Sequence, residues 1–226
     1  EENFLPQFYA DLKANPLAII ELAKNGFDVH MIRNGHSQIK HSLMNNFRKR
    51  FIGAVEESGH YYLNFPLCIE DNEGAFAATE NTLFFGLLTA KMWHNNPEKY
   101  NEARNIQSMT YREREWGYKF PDNNKRMLAM KEIEEEFLKQ GGDSKKTMED
   151  GTDLEAVIMR EGLPFIIDAA TKIYEEWAQI SQRVSQSEEG LARWEVLAGT
   201  EDRKNYYVNM IDRIARKYTN SDKYIG

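Results

Sequence analysis

Apolar positions recur at helical spacing along most of this 226-residue chain. The segment NPLAIIELAKNG shows the pattern with its ends: Asn15 can cap a helix, Pro16 suits its first turn, and Asn25-Gly26 ends it. The same spacing predicts helices over 37–58, 97–118 and 123–140. Segment 75–93 is apolar on nearly every side, which is typical of a buried central helix.

Two stretches depart from helical spacing. In GHYYLNFPLCIEDNEG the spacing fails, and we predict a short extended piece near 61–70. Residues 28–33 are predicted as a helical turn or a short strand, because the apolar residues Phe27, Val29 and Met31 alternate with polar ones.

Residues 141–152, GGDSKKTMEDGT, form a polar and glycine-rich segment. We expect this loop to join an N-terminal helical region, 1–140, to a C-terminal one, 153–226, within one domain. Segment 153–184 is predicted to be helical. A further helix is predicted to start at the capping box of Ser185 and Glu188, and the last helix is predicted to start at the cap Thr200. The whole pattern predicts an all-α fold, a single compact domain of about nine helices with orthogonal or bundle-like packing.

Net charge and apolar content argue against two kinds of partner, nucleic acid and the membrane interior. The net charge of −7 disfavours a protein that coats nucleic acid, since phosphate binding needs a positive field. A weaker hypothesis keeps nucleic-acid binding through basic residues interleaved with aromatic ones, Arg48, Lys49, Arg50, Arg112 and Arg114. Apolar runs are only a few residues long, so no membrane-spanning helix is expected.

The single cysteine bears on chemistry and on compartment. One cysteine rules out a disulfide framework and a cysteine-rich zinc site. It fits the cytoplasm or another reducing compartment, and leaves a virion or a secreted effector open.

Glu80 is the first candidate for chemistry. A carboxylate inside the apolar segment 75–93 would be buried, and buried acids are candidates for catalysis; a structural salt bridge is the alternative. The stretch FDVHMIRNGHSQIKHS holds three of the five histidines, but Asn34-Gly35 breaks any continuous helix there. Only His41 lies on a predicted helix that can face Glu80, so Glu80 and His41 are the predicted catalytic pair.

Glu57 and His60 form the second candidate. Their Glu-x-x-His spacing places both side chains on one helical face, as in di-metal carboxylate bundles. With Glu80 they make a predicted metal site, and a solvated Glu57–His60 pair is the alternative reading. No second Glu-x-x-His motif occurs in the chain, so a divalent metal is the alternative to no cofactor at all.

The absence of common catalytic motifs decides between two function classes. The chain has no GxGxxG, GxxxxGK[ST], HExxH or GxSxG motif. We therefore expect a non-enzymatic helical protein acting through protein–protein contacts or self-association, as a structural or assembly subunit or a regulatory module. The alternative is a metal-dependent or acid–base helical-bundle enzyme with its site between helices 37–60 and 75–93. The expected interface residues are aromatic: Tyr111, Trp116, Tyr118, Tyr206 and Tyr207.

Overall fold

The computed structural model describes residues 5–46, 49–69 and 72–225, with the backbone alone for 65–69 and 72–79. Residue contacts divide the chain into two units. Unit 1 comprises residues 1–107 with 166–171, and unit 2 comprises residues 108–165 with 172–226.

The all-α prediction is wrong. The described residues form six α-helices and eleven strands arranged in two sheets, so the fold class is α/β. No helix in these ranges is long and apolar enough to cross a membrane.

Unit 1 begins with alternating strands and helices and continues with a hairpin and two helices. Its elements are β1 (Gln7–Asp11), α1 (Pro16–Lys24), β2 (Asp28–Ile32), α2 (His36–Asn45), β3 (Phe51–Val55), β4 (Tyr61–Ile69), β5 (Asn72–Glu80), α3 (Thr82–Asn95) and α4 (Pro97–Ser108). The strand order is β2-β1-β3-β4-β5. β1 pairs in parallel with β2 and β3, whereas β4 and β5 continue the sheet antiparallel.

The parallel strands of unit 1 create a switch point in the sheet. The connection through α1 leads from β1 to β2 on one side, and the connection through α2 leads to β3 on the other side of β1. The carboxyl ends of these strands therefore meet at one edge, next to the point where strand order reverses. In open α/β sheets, ligands bind in the crevice at this place.

The predicted helix 37–58 is in fact α2, a turn and β3. Within α2, Ile39 and Leu43 keep helical spacing and are buried. Gly53 marks the strand: a Cβ atom there would lie 2.7 Å from the Phe8 side chain and 2.7 Å from the Tyr62 carbonyl oxygen. This close backbone approach between neighbouring strands requires a glycine. A glycine inside the predicted helix was the sequence signal against a continuous helix.

The predicted central helix 75–93 is also two elements, β5 and α3. Asn81 separates them as an N-cap whose side chain accepts a hydrogen bond from the Phe84 N–H. Helix α3 contains no buried residue, and Leu83 and Leu87 are 74% and 64% exposed. The apolar character of α3 therefore does not place it in the core of unit 1.

Unit 2 is an antiparallel sheet with two helices. Its elements are β6 (Tyr111–Lys119), α5 (Asn123–Lys139), β7 (Asp143–Thr147), β8 (Asp153–Glu161), β9 (Ala178–Val184), β10 (Leu191–Ala198), α6 (Glu201–Ala215) and β11 (Tyr224–Ile225). The strand order is β11-β6-β10-β9-β8-β7. The apolar stripes of both helices join side chains of the sheet in one core, which includes Ile133, Phe137, Trp194, Tyr207 and Ile211.

The polar segment 141–152 lies inside unit 2. It contains β7 and the turn into β8, which pairs with β7 as a hairpin. The strands that follow were predicted as helices because buried and exposed residues do not alternate regularly along them. In β10, for example, seven of eight residues are buried. A strand buried on both faces lacks the period of two that would identify it.

Asp11 ties the carboxyl ends of β1 and β2 together. It is 2% exposed, accepts a hydrogen bond from the Lys13 N–H at 3.0 Å and another from Asn34 Nδ2 at 2.6 Å. Burial raises the pKa of the Asp11 carboxyl to about 6, against the lowering by the Lys13 charge and the hydrogen bonds. Ionised Asp11 therefore costs stability near neutral pH.

We predict that the Asp11→Asn variant changes how the stability of the protein depends on pH. A carboxyl whose pKa is higher in the folded state stabilises the fold at low pH and loses that contribution as pH rises towards 6. Between about pH 3.5 and about pH 7, wild type should lose about 3 kcal/mol of unfolding free energy relative to Asp11→Asn. Urea unfolding across this range measures the difference.

Asp143→Asn is the matched control, because Asp143 is an exposed aspartate at the start of β7. Its unfolding free energy should follow that of wild type over the same pH range. A parallel pH dependence for wild type and Asp11→Asn would contradict the prediction.

Candidate functional site

The turn between β3 and β4 brings a glutamate and a histidine together. The Glu56 N–H donates to the His60 carbonyl oxygen at 2.8 Å, and the Gly59 N–H donates to the Glu56 carbonyl oxygen at 3.0 Å. Gly59 has a φ of +87°, a conformation that favours glycine, so the EESGH sequence can close this tight turn. As a result, His60 Nδ1 lies 3.6 Å from Glu56 Oε2.

Glu56 is held by donors from two other elements. Its Oε1 accepts a hydrogen bond from the Gly35 N–H at the start of α2, at 3.2 Å, and its Oε2 accepts one from the Tyr62 hydroxyl, at 2.6 Å. The side chain is only 5% exposed. A helix N-terminus offers free N–H groups and a favourable dipole, which stabilise a buried carboxylate.

Glu80, the last residue of β5, completes the arrangement. It pairs across the hairpin with Tyr62, and its carboxylate faces both histidines. Glu80 Oε2 lies 2.9 Å from His36 Nδ1, and Glu80 Oε1 lies 3.4 Å from His60 Nε2. We call His36, Glu56, His60, Tyr62 and Glu80 the His–Glu cluster.

The contacts of His36 fix its neutral tautomer. Its Nδ1 lies 2.8 Å from the Tyr62 oxygen as well as 2.9 Å from Glu80. Because the Tyr62 proton is donated to Glu56, Tyr62 and Glu80 both act as acceptors here, and Nδ1 carries the hydrogen. Nε2 of this half-exposed side chain is then the basic nitrogen.

Tyr62 remains a donor over the physiological pH range. Burial raises the pKa of its hydroxyl, and the hydrogen bond to Glu56 and the charges of Glu56, Glu80 and Asp11 raise it further. A neutral hydroxyl is what the Glu56 carboxylate needs as a partner.

The cluster contains two of the residues that the sequence suggested for a metal site. His60 and Glu80 lie together, whereas Glu57 is exposed and the neighbouring Glu56 takes the place inside the cluster. His41 lies on the exposed side of α2, where its Nε2 contacts Asn45 Nδ2 at 2.7 Å. The contacts of Glu80 are with His36 and His60 in place of His41.

Three members of the cluster were not among the predicted site residues: His36, Glu56 and Tyr62. If residues 37–58 were helical, Glu57 would face His60. In the observed tight turn, Glu56 faces His60 instead. The glycine in EESGH was the one local signal of that turn.

The predicted interface residues divide between surface and core. Tyr111 and Tyr206 are 40% and 43% exposed, so an interface role for them stays a prediction. Trp116, Tyr118 and Tyr207 are at most 1% exposed and pack within the core of unit 2, out of reach of a partner. Of the basic residues considered for nucleic acid, Arg48 lies outside the described residues and Arg112 pairs with Glu195.

One histidine-rich group in the described part of the chain has ligand atoms close enough for a metal ion. His36, Glu56 and His60 each offer an atom within 4.8 Å of the others. The group can therefore act through hydrogen bonds and proton transfer, or through a bound cation.

No protein-family model and no curated protein matches this chain. Several solved structures share its fold, among them two with 12% sequence identity. One is a phosphoglucomutase/phosphomannomutase family protein from Burkholderia thailandensis, with 99% of this chain and 40% of that chain aligned and a TM-score of 0.57. The other is the exocytosis-sensitive phosphoprotein pp63/parafusin (phosphoglucomutase) from Paramecium in its open form, with 100% and 40% aligned and a TM-score of 0.63.

This similarity shows the fold and corrects one expectation. The chain spans about 40% of the length of these structures. Their α/β domains overturn the all-α class, and a structural or assembly role stays a prediction.

Proposed function

We propose that unit 1 binds a phosphorylated hexose by its hydroxyl groups and that the His–Glu cluster transfers a proton at one of them. The observation that carries this proposal is the Glu80–His36–Tyr62 arrangement, in which both neighbours contact His36 Nδ1 and leave Nε2 to a ligand. This is the geometry of a histidine oriented for general acid–base chemistry.

The exposure of each side chain assigns it a role. His36, His60 and Glu80 are 49%, 34% and 22% exposed, so a ligand can reach all three. Carboxylates and imidazoles accept hydrogen bonds from sugar hydroxyls, and charged acceptors form the stronger bonds. Glu56, by contrast, is buried and serves as the anchor for the turn and for Tyr62.

Proton transfer follows from the same contacts. When His36 Nε2 takes a proton from a substrate hydroxyl, the ring becomes positively charged. The Glu80 carboxylate, 2.9 Å from Nδ1, stabilises that charge. The reverse step returns the proton to the oxygen.

The fold supports a ligand at this place. His36, Glu56 and His60 lie at or beyond the carboxyl ends of the parallel strands, at the edge where α/β sheets bind ligands. The choice of a phosphorylated hexose rests on the phosphoglucomutase named for both structural neighbours. Because this chain spans about 40% of those structures, the proposal covers ligand binding and proton transfer alone.

We predict that Glu80→Gln weakens binding of glucose 1-phosphate about 10- to 150-fold, since a hydrogen bond to a charged group contributes about 1.5–3 kcal/mol. Calorimetric titration of the full chain measures the dissociation constant. A deoxy analogue lacks one hydroxyl of the sugar. If that hydroxyl contacts Glu80, its removal should weaken binding to wild type more than it weakens binding to Glu80→Gln.

Two variants control this experiment. Glu57→Gln removes an exposed charge next to the cluster, and His41→Ala removes an exposed histidine of α2. Both should bind like wild type. An unmeasurable affinity of wild type at millimolar ligand, or equal affinity of wild type and Glu80→Gln, would refute a hexose-phosphate site here.

For the histidine, we predict that His36→Asn weakens binding of glucose 1-phosphate about 2- to 10-fold, since a hydrogen bond between neutral groups contributes about 0.5–1.5 kcal/mol. The shorter amide retains a donor near Glu80 but lacks the imidazole Nε2 that accepts from a sugar hydroxyl. Calorimetric titration of the full chain measures the dissociation constant. An affinity equal to that of wild type would place the sugar away from His36 Nε2.

Self-association is a second candidate, and helix α3 favours it. Leu83, Leu87 and Trp93 of this helix are 74%, 64% and 59% exposed. The described protein leaves this apolar surface open, and surfaces of this kind mark interaction sites. Lys91 is the one lysine, arginine or acidic residue in α3, so two copies of the helix can pack by a two-fold axis with little charge repulsion.

We predict that Leu87→Glu dissociates a dimer formed through α3, because it places a charge in the centre of the apolar surface. Light scattering after size-exclusion chromatography should give the mass of two chains for wild type and of one chain for the variant. Leu5→Glu is the control, since Leu5 is exposed but lies outside α3. A wild-type monomer at high protein concentration would exclude this dimer.

A further inference from the structure

We propose that the His–Glu cluster is a binding site for one divalent transition-metal ion of the zinc class, with His36, Glu56 and His60 as ligands. The ion uses residues that the proposed function also uses, but its binding depends on no sugar.

The spacing of the donors fits one ion. Zinc binds histidine nitrogen and carboxylate oxygen at about 2.0–2.2 Å in a tetrahedral arrangement, so its ligand atoms lie about 3.4 Å apart. His60 Nδ1 and Glu56 Oε2 are 3.6 Å apart, and the atoms of all three residues lie within 4.8 Å of one another. Movements of about 1 Å by side chains therefore close the site.

The charge of the cluster calls for a cation. Among the described residues, no lysine or arginine forms an ion pair with Glu56 or Glu80, and histidines are their charged neighbours. Glu56 keeps its hydrogen bonds from the Gly35 N–H and the Tyr62 hydroxyl, and a divalent ion would be attracted to two carboxylates that both contact His60.

The residues around the three ligands complete the argument. His60 Nδ1 faces Glu56 at 3.6 Å and contacts Ser58 Oγ at 2.9 Å, a contact that the ion would replace. Glu80 Oε1 faces His60 Nε2, so Glu80 can accept the hydrogen of the nitrogen that does not bind the ion. Tyr62 likewise donates to the ligand atom Glu56 Oε2. Carboxylate and hydroxyl partners of this kind orient metal ligands and tune their basicity.

The donor types select the metal. Two imidazoles with one carboxylate match the His₂Glu set of catalytic zinc sites, which keep a fourth position for water or substrate. Magnesium and calcium prefer sites made of oxygen atoms alone, so both should bind weakly here.

The experiment is a titration of the metal-free full chain with zinc chloride against a chromophoric chelator, with no sugar present. Wild type should bind one equivalent. His36→Ala and His60→Ala should each lose at least 100-fold in affinity, and Glu80→Gln about 10- to 100-fold as a partner of a ligand. His41→Ala should bind like wild type, because His41 lies on the exposed side of α2.

Cobalt provides a readout independent of affinity. One equivalent of Co²⁺ should give the intense visible absorption of a four-coordinate site in wild type and in His41→Ala, and should lose it in His60→Ala. Circular dichroism of each variant verifies that it is folded. No zinc binding by wild type, equal losses for His41→Ala and His60→Ala, or displacement of zinc by equimolar magnesium would overturn the proposal.

The sugar and metal experiments fail separately. Glucose 1-phosphate is titrated into chelator-treated protein, and zinc is titrated without sugar. Sugar binding without zinc binding would overturn the metal site and leave the proposed function intact, and the opposite result would do the reverse.

Discussion

The buried Glu56 carboxylate is the interaction on which the candidate site depends. It joins the N-terminus of α2, through the Gly35 N–H, to the β4–β5 hairpin, through the Tyr62 hydroxyl, and it lies in the turn that presents His60. Burying a carboxylate without hydrogen-bond donors is energetically unfavourable. The turn, the N-terminus of α2 and the hairpin must therefore come together for the Glu56 carboxylate to have its donors. The positions of both histidines follow from that requirement.

The elements that could be predicted from the sequence are the ones with local signals. Helices α1 and α6 begin where the caps Asn15 and Thr200 predicted, and α5 begins at the start of the predicted helix 123–140. Asn15, Asp122 and Thr200 each accept a backbone hydrogen bond as the N-cap. The strands were misread because apolar runs buried on both faces have no period of their own. Their pairing partners lie far along the chain, as β1 with β3 or β6 with β10.

The candidate site was predictable to the same extent. Glu80 was predicted as a site residue because a buried carboxylate is a candidate for catalysis or binding. His60 was predicted from its Glu-x-x-His spacing to Glu57. Choosing Glu56 over Glu57 required the geometry of a turn in place of a helix. His36 could be placed only after β3 was known to pair with β4, since its contacts with Tyr62 and Glu80 join residues 26 and 44 positions apart.

The Tyr62–Glu80 pairing across the β4–β5 hairpin has one more consequence. Side chains alternate between the two faces of a strand, so a shift of one residue in this hairpin would send Glu80 to the face away from the histidines. The same pairing continues along the hairpin to Ile69 and Asn72, a full strand length from the cluster. An insertion or deletion of one residue within β5 would leave every cluster residue in the sequence and still dismantle the site.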